Sequence, residues 1–223
     1  MTASEALFEA YCTANAIIFS RVPTEDAPTP DYRISLSDHE VICEVKEVTR
    51  NPYEKRLLTL PGELWGEEES VYTGGAPGSR LRKKISDGVP QLKGRVRQRP
   101  AVLVIYNFVS EYPQICDDYA VSVAMFGYES ALISGEPALE GGATILKRWH
   151  GPNKTITPVC NTSLSALVIG NPQSPERLSA FHNPFARLPL STNILTRFPF
   201  DQFVTNTDPT HSICVWRRVS SVA

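Results

Sequence analysis

The chain has 223 residues, 42% of them hydrophobic and 21% charged, with 22 Lys+Arg against 24 Asp+Glu. These values are those of an ordinary globular protein and exclude disordered, collagen-like and coiled-coil classes. The longest wholly apolar run, residues 101–106, is far shorter than the roughly 20 residues of a membrane-spanning helix, and a sequence pI of about 6.1 excludes a uniformly basic nucleic-acid coat.

In chain order, Thr2-Ala3-Ser4-Glu5 has the spacing of a capping box and predicts a helix over 3–15. Its apolar stripe is Leu7, Phe8, Tyr11 and Ala14, flanked by Glu5 and Glu9 one turn apart. The same stretch, with its acidic residues and no basic start, is not the pattern of a secretory signal, so a cytoplasmic location is expected. IIFSRV reads as extended and PTEDAPTP as a loop broken by proline.

DYRISLSDHEVICEVKEV alternates polar and apolar residues around a short polar SDHE, which predicts a β-hairpin. With Asp38-His39 as the loop, Ser37 pairs with Glu40, and Tyr32, Ile34 and Leu36 face Val45, Cys43 and Val41. On the other face Asp31 then lies across from Lys46 and Arg33 from Glu44, with Asp31 and Glu44 as diagonal neighbours. Diagonal Cα atoms are about 7–8 Å apart, near enough for two carboxylates to share a divalent cation. Lys46, two residues along, is placed to orient a metal-bound water and offset charge on a phosphoryl oxygen. The same alternation also describes exposed cross-strand ion pairs, Arg33 with Glu44 or Asp31 with Lys46. Ile42 and Val48 share that face, which calls for an apolar cover, and the first helix is the candidate for it.

Residues 49–78 read as an irregular, mobile excursion, acidic at 63 and 67–69 and ending in GGAPG. Ser79 is a candidate cap for a second helix with Leu81, Ile85, Leu92 and Val96 on its apolar side, kinked or broken near Gly88 and Pro90. Residues 80–99 contain eight basic residues and one acid, a local charge of +7. Such a strip is either a solvated helix face or a phosphate-contacting one, with Arg80, Lys83 and Lys84 the preferred contacts. PAVLVIYN reads as a strand buried on both faces, and YAVSVAMFG, SALVIGN and CVWRRV as further strands, giving an α/β protein.

Other chemistry is poorly represented. The five cysteines form no Cys-x-x-Cys pair and read as reduced, mostly buried thiols. Four dispersed histidines lack metal-ligand spacing and read as structural, with His182 an accessory candidate. GGAPGSR lacks the glycine spacing and the Lys-Ser/Thr pair of a phosphate-binding loop, and there is no serine elbow.

The order of a helix carrying Glu5/Glu9, TPDYRISL, EVICEVKEV, a basic helix and PAVLVIYN resembles the PD-(D/E)XK nuclease superfamily. The motif is Pro30-Asp31, twelve intervening residues, then Glu44-Val45-Lys46, and the resemblance covers residues 2–107. It implies a restriction-endonuclease-like α/β core, a mixed central sheet flanked by helices, with a C-terminal extension of the sheet, all in one domain spanning 1–223. It further implies phosphodiester hydrolysis with Mg²⁺ (or Mn²⁺) held by Asp31, Glu44 and the Val45 carbonyl, and Lys46 positioning the attacking water. A first-helix glutamate, Glu5 or Glu9, would complete the site, with Gln91 beside it. The implied partner is nucleic acid, DNA before RNA, with a homodimer or protein partner possible. The alternative is an inactive module with this core, binding nucleic acid or a protein in a defence or repair complex.

Overall fold

A computed structural model describes residues 1–23, 27–37, 39–57, 76–93, 98–109, 113–134, 144–205 and 207–219. The chain is α/β. Its helices are α1 (Ala3–Ala14), α2 (Pro52–Leu57), α3 (Ser79–Lys93), α4 (Asp118–Phe126) and α5 (Thr192–Leu195), with a 3₁₀ turn at Pro113–Ile115. Its strands are β1 (Ile18–Arg21), β2 (Tyr32–Leu36), β3 (His39–Val48), β4 (Ala101–Asn107), β5 (Glu129–Ile133), β6 (Ile145–His150), β7 (Ala166–Asn171), β8 (Ser174–His182), β9 (Phe200–Thr205) and β10 (Trp216–Val219). Eight strands form one mixed sheet in the order β1-β2-β3-β4-β7-β8-β9-β10, and β5 and β6 form a separate hairpin. The pairs β3/β4, β4/β7 and β8/β9 are parallel and the others antiparallel. None of the helices described is long and apolar enough to cross a membrane.

The sheet separates two cores. On one face, α3 and α4 cover Ile42, Val48, Leu103, Ile105 and Leu167. On the other, α1 and α5 cover Tyr32, Ile34, Val41, Cys43, Val45, Val104 and Val168. β4 is buried along its whole length, as a central strand flanked by parallel neighbours should be. α1 begins with the expected capping box, Thr2 and Glu5 each satisfying the other's backbone N–H, and buries Phe8, Tyr11 and Cys12, while Ala14 is exposed. Cys12, Cys43, Cys116 and Cys214 are buried and Cys160 is exposed.

Several sequence expectations are corrected. The hairpin pairs Tyr32 with Cys43, Ile34 with Val41 and Leu36 with His39, a register two residues tighter than expected. Ser37 adopts φ 56°, which lets the chain reverse directly after Leu36. Because the shift is two residues, every side chain keeps its face. YAVSVAMFG is not a strand but α4, whose apolar residues are buried on all sides, so its sequence carries no helical stripe. Its real signals are local: the Asp117 carboxylate accepts from Ala120 N–H at 2.7 Å, and Gly127 closes the helix at φ 95°.

α3 runs through Pro90 rather than breaking there, and adds Val89 to its buried side. Within the segment read as irregular, residues 52–57 form α2. α2 begins with reciprocal bonds between Asn51 and Glu54, at 2.7 and 2.8 Å, and Glu54 is buried against Arg80. Gly78, at φ 69°, lies so close to Ala120 and Ala124 of α4 that a Cβ would collide with their backbone, which pins the end of GGAPG. The loop residue 38, residues 58–75 with the acidic positions 63 and 67–69 and the first two glycines of the GGAPG run, and Val96, Arg95 and Arg97 lie outside the described residues.

Candidate active site

Asp31 stands one residue before β2. Continuing the register past the Tyr32–Cys43 pair places it directly across from Glu44, closer than the diagonal expected from sequence. The Val45 N–H donates to Asp31 Oδ2 at 2.8 Å, fixing that carboxylate against β3. Val45 thus contributes through its backbone, while its side chain is buried in the α1-side core.

Glu44 projects to the other face, beneath α3, and is fully buried (0% exposed). Gly88 makes this possible. A Cβ there would come within 2.7 Å of Leu103 Cδ1 and 3.5 Å of Glu44 Cγ, so a bare helix backbone is what lets α3 descend onto the strands. The cover over the Glu44 face is therefore α3, not the first helix, which packs on the opposite face.

The Lys46 ammonium, 25% exposed, is in ion-pair contact with Glu44 Oε1. Neither Glu44 oxygen, however, has a hydrogen bond of good geometry. A buried carboxylate in this condition is expensive unless its charge is removed or matched. Burial, with the neighbouring Asp31 charge adding to it, pushes Glu44 up to about 7, against the opposing pull of Lys46. Asp31 is also raised, chiefly by burial, with the Val45 N–H and Lys46 opposing. Both carboxylates are thus held above their ordinary values, Glu44 to near neutrality.

Asp31 opens onto a cleft of about 850 Å³ whose walls include Glu5, Gln91 and Arg21. Gln91 Oε1 is buried and has no hydrogen-bond partner. Glu5 and Gln91 were both selected from sequence, and one cavity joins them to Asp31. Both first-helix glutamates are engaged: Glu9 Oε1 accepts from Arg21 Nε at 2.7 Å and from the Tyr32 hydroxyl at 2.9 Å, and Glu5 Oε2 accepts from the Thr2 N–H at 3.1 Å and Arg21 Nη1 at 3.4 Å. Among the described residues, no group of three or more His, Cys, Asp or Glu converges as a ready metal cage.

The basic helix is less available than its composition suggested. Arg80 is bound to buried Glu54 and anchors α2 to α3. Lys83 is exposed and pairs with Asp87 at 3.3 Å, one turn along. Lys84 is half-buried and, at helical spacing from Gly88 and Gln91, lies on the side of α3 turned to the site. The two buried histidines are structural. His150 Nδ1–H donates to Gly127 O at 2.9 Å while Nε2 accepts the Cys214 N–H at 2.7 Å. His182 is buried at 3.1 Å from Gln202 Oε1, on the sheet face opposite Glu44.

Sequence reading missed Arg21 and Gly88. Arg21 lies ten residues before Asp31 in a short edge strand and has no motif to mark it. Gly88 was visible, but a glycine inside a helical pattern signals a kink as readily as a close approach. No protein-family model, no curated protein and no solved structure matches the chain.

Proposed function

We propose that the protein is a metal-dependent nuclease with a PD-(D/E)XK-type site on a restriction-endonuclease-like core, acting on nucleic acid and on DNA by preference. The observation that carries this reading is Glu44: a fully buried carboxylate without a well-formed hydrogen bond, facing Asp31 across a strand pair and in contact with a single cation, the Lys46 ammonium. Paired carboxylate oxygens are the donor set of Mg²⁺ and Mn²⁺. Asp31, Glu44 and the Val45 carbonyl are the proposed ligands. When bound, the ion supplies Lewis-acid and water-activating chemistry. Lys46 holds its charge beside the pair, where it positions the attacking water and offsets charge on the phosphoryl oxygens. Glu5 adds a carboxylate from the cleft wall, and Gln91 offers a free acceptor for water or substrate.

The test is cleavage of supercoiled, linear and single-stranded substrates with and without Mg²⁺ or Mn²⁺, resolved on a gel. Wild type cuts at least one substrate only when the ion is present, and Asp31→Ala, Glu44→Ala and Lys46→Ala each lose about 10³-fold or more of that activity. Full activity in all three variants refutes the site. A wild-type protein that neither cuts nor binds the ion is instead the inactive nuclease-like module.

A further inference from the structure

We infer that Arg21 is the phosphate-binding residue of this site, contacting a nucleic-acid phosphate beside the Asp31–Glu44 pair. The inference rests on the nuclease reading and adds a residue to it. Arg21 is the last residue of β1, and the next N–H, that of Val22, donates to the Asp31 carbonyl at 2.9 Å, so the two residues are tied through adjacent backbone. Of the described residues lining the cleft that holds Asp31, Glu5 and Gln91, Arg21 is the only one with a cationic side chain; the other positive group is the Met1 amino terminus, 3.8 Å from Glu5 Oε2. The guanidinium is held in place from several directions. Nε and Nη2 contact Glu9 Oε1 at 2.7 and 2.5 Å, Nη1 reaches Glu5 Oε2 at 3.4 Å, and the plane lies 5.3 Å from the centre of the Tyr32 ring.

A guanidinium has five N–H donors in a rigid fork. These contacts use one on each nitrogen and leave one on Nη1 and one on Nη2 for further acceptors. The side chain is 47% exposed, so those donors are reachable from solvent. Arg80, Lys83 and Lys84, the contacts preferred from composition, do not line this cleft. Arg80 is 22% exposed against Glu54, and Lys83 stands on the outer surface of α3 beside Asp87. Lys84, on the side of α3 turned to the site, is a second cation for the same substrate. The contact commits to no base, so it is the same for every sequence. The cleft also contains Glu5 and Asp31, so a phosphate enters it together with the divalent ion and not before it.

The experiment measures binding of fluorescein-labelled duplex and single-stranded oligonucleotides, with 5′-phosphate or 5′-hydroxyl ends, by anisotropy in Ca²⁺ over a range of NaCl. Wild type, Arg21→Ala and Arg21→Lys are compared, with thermal melting of each. Arg21→Ala weakens binding at least tenfold across unrelated sequences and lowers the magnitude of the log K against log[salt] slope by about one. Arg21→Lys keeps the slope but recovers only part of the affinity, because an ammonium lacks the fork. A loss confined to 5′-phosphorylated strands assigns the contact to a terminal phosphate, and a loss on both kinds of end assigns it to an internal phosphodiester. If wild type binds and cuts while Arg21→Ala binds equally well with the same slope, the inference is wrong and the nuclease reading stands, Arg21 then being only a clamp from β1 to α1 visible as a lower melting temperature. If wild type binds no oligonucleotide under any condition, the nuclease reading fails with it.

Discussion

Toward the β7–β10 end of the molecule, most buried polar groups described are matched, Ser163 Oγ excepted. His150 links Gly127 to Cys214, Asn183 donates to Leu164 O at 2.7 Å, and Gln202 joins His182 to Thr192 O. At the β2–β3 end the same degree of burial leaves Gln91 Oε1 without a partner and Glu44 held by the partly exposed Lys46 ammonium, in a contact that is not a well-formed hydrogen bond. A buried group that is hydrogen-bonded supports the fold, whereas one left open lowers its stability and persists where a ligand completes it. The hydroxyls of Tyr11, Tyr106 and Ser163 are also buried without partners, so an open group points to a site where it also lies at the cleft, as Gln91 does.

Glu44→Gln tests the contrast most severely. It keeps the shape and removes the charge, so cleavage falls about 10³-fold while the metal-free protein melts no lower than wild type above pH 7. Equal losses of activity and melting temperature would make Glu44 a structural residue. His150→Phe is the reciprocal case. It leaves Gly127 O and the Cys214 N–H buried without partners, at a cost of about 1–3 kcal/mol for each, measurable by urea unfolding, while affinity for Mn²⁺ stays that of wild type.

The two ends also respond oppositely to pH. Glu44 holds a proton in the folded chain between its ordinary value of 4.5 and about 7, where the unfolded chain has released it, so its contribution to stability is full at low pH and is lost as pH rises through that window. Burial lowers His150 below its ordinary 6.5, so an unfolded histidine takes up a proton first and stability is lost as pH falls. Melting curves from pH 4 to 8 then show the alkaline loss abolished by Glu44→Gln and by added Mn²⁺, and the His150 part of the acid loss abolished by His150→Phe. The smallest effect is at the surface. Lys83→Ala, breaking an exposed pair one turn apart, changes stability by less than about 0.5 kcal/mol and leaves oligonucleotide affinity within twofold.

What sequence made legible follows the same division. Alternation over β2 and β3 identified the face shared by Asp31, Glu44 and Lys46, and the uninterrupted apolar run of β4 marked a strand buried on both sides. Alternation fixes the face of a side chain but not the reversal point, which depended on Ser37 taking a positive φ, so the partner of Asp31 was placed two residues away. α4 was mistaken for a strand because burial on all sides erases periodicity, and only Asp117 and Gly127 marked its ends. The cover over Glu44, the pairing of Arg80 with Glu54 and the convergence of Arg21, Glu5 and Gln91 on one cleft are long-range contacts, and no local pattern encodes them.

Divalent-ion binding by the intact chain tests the central claim most directly, through calorimetric titration of Mn²⁺ at pH 7.5 into wild type, Asp31→Asn and Glu44→Gln. The account predicts a carboxylate-dependent site in wild type, release of a proton as the ion enters, and at least tenfold weaker binding in both variants. Equal affinity in all three proteins, or no binding to wild type, would contradict it.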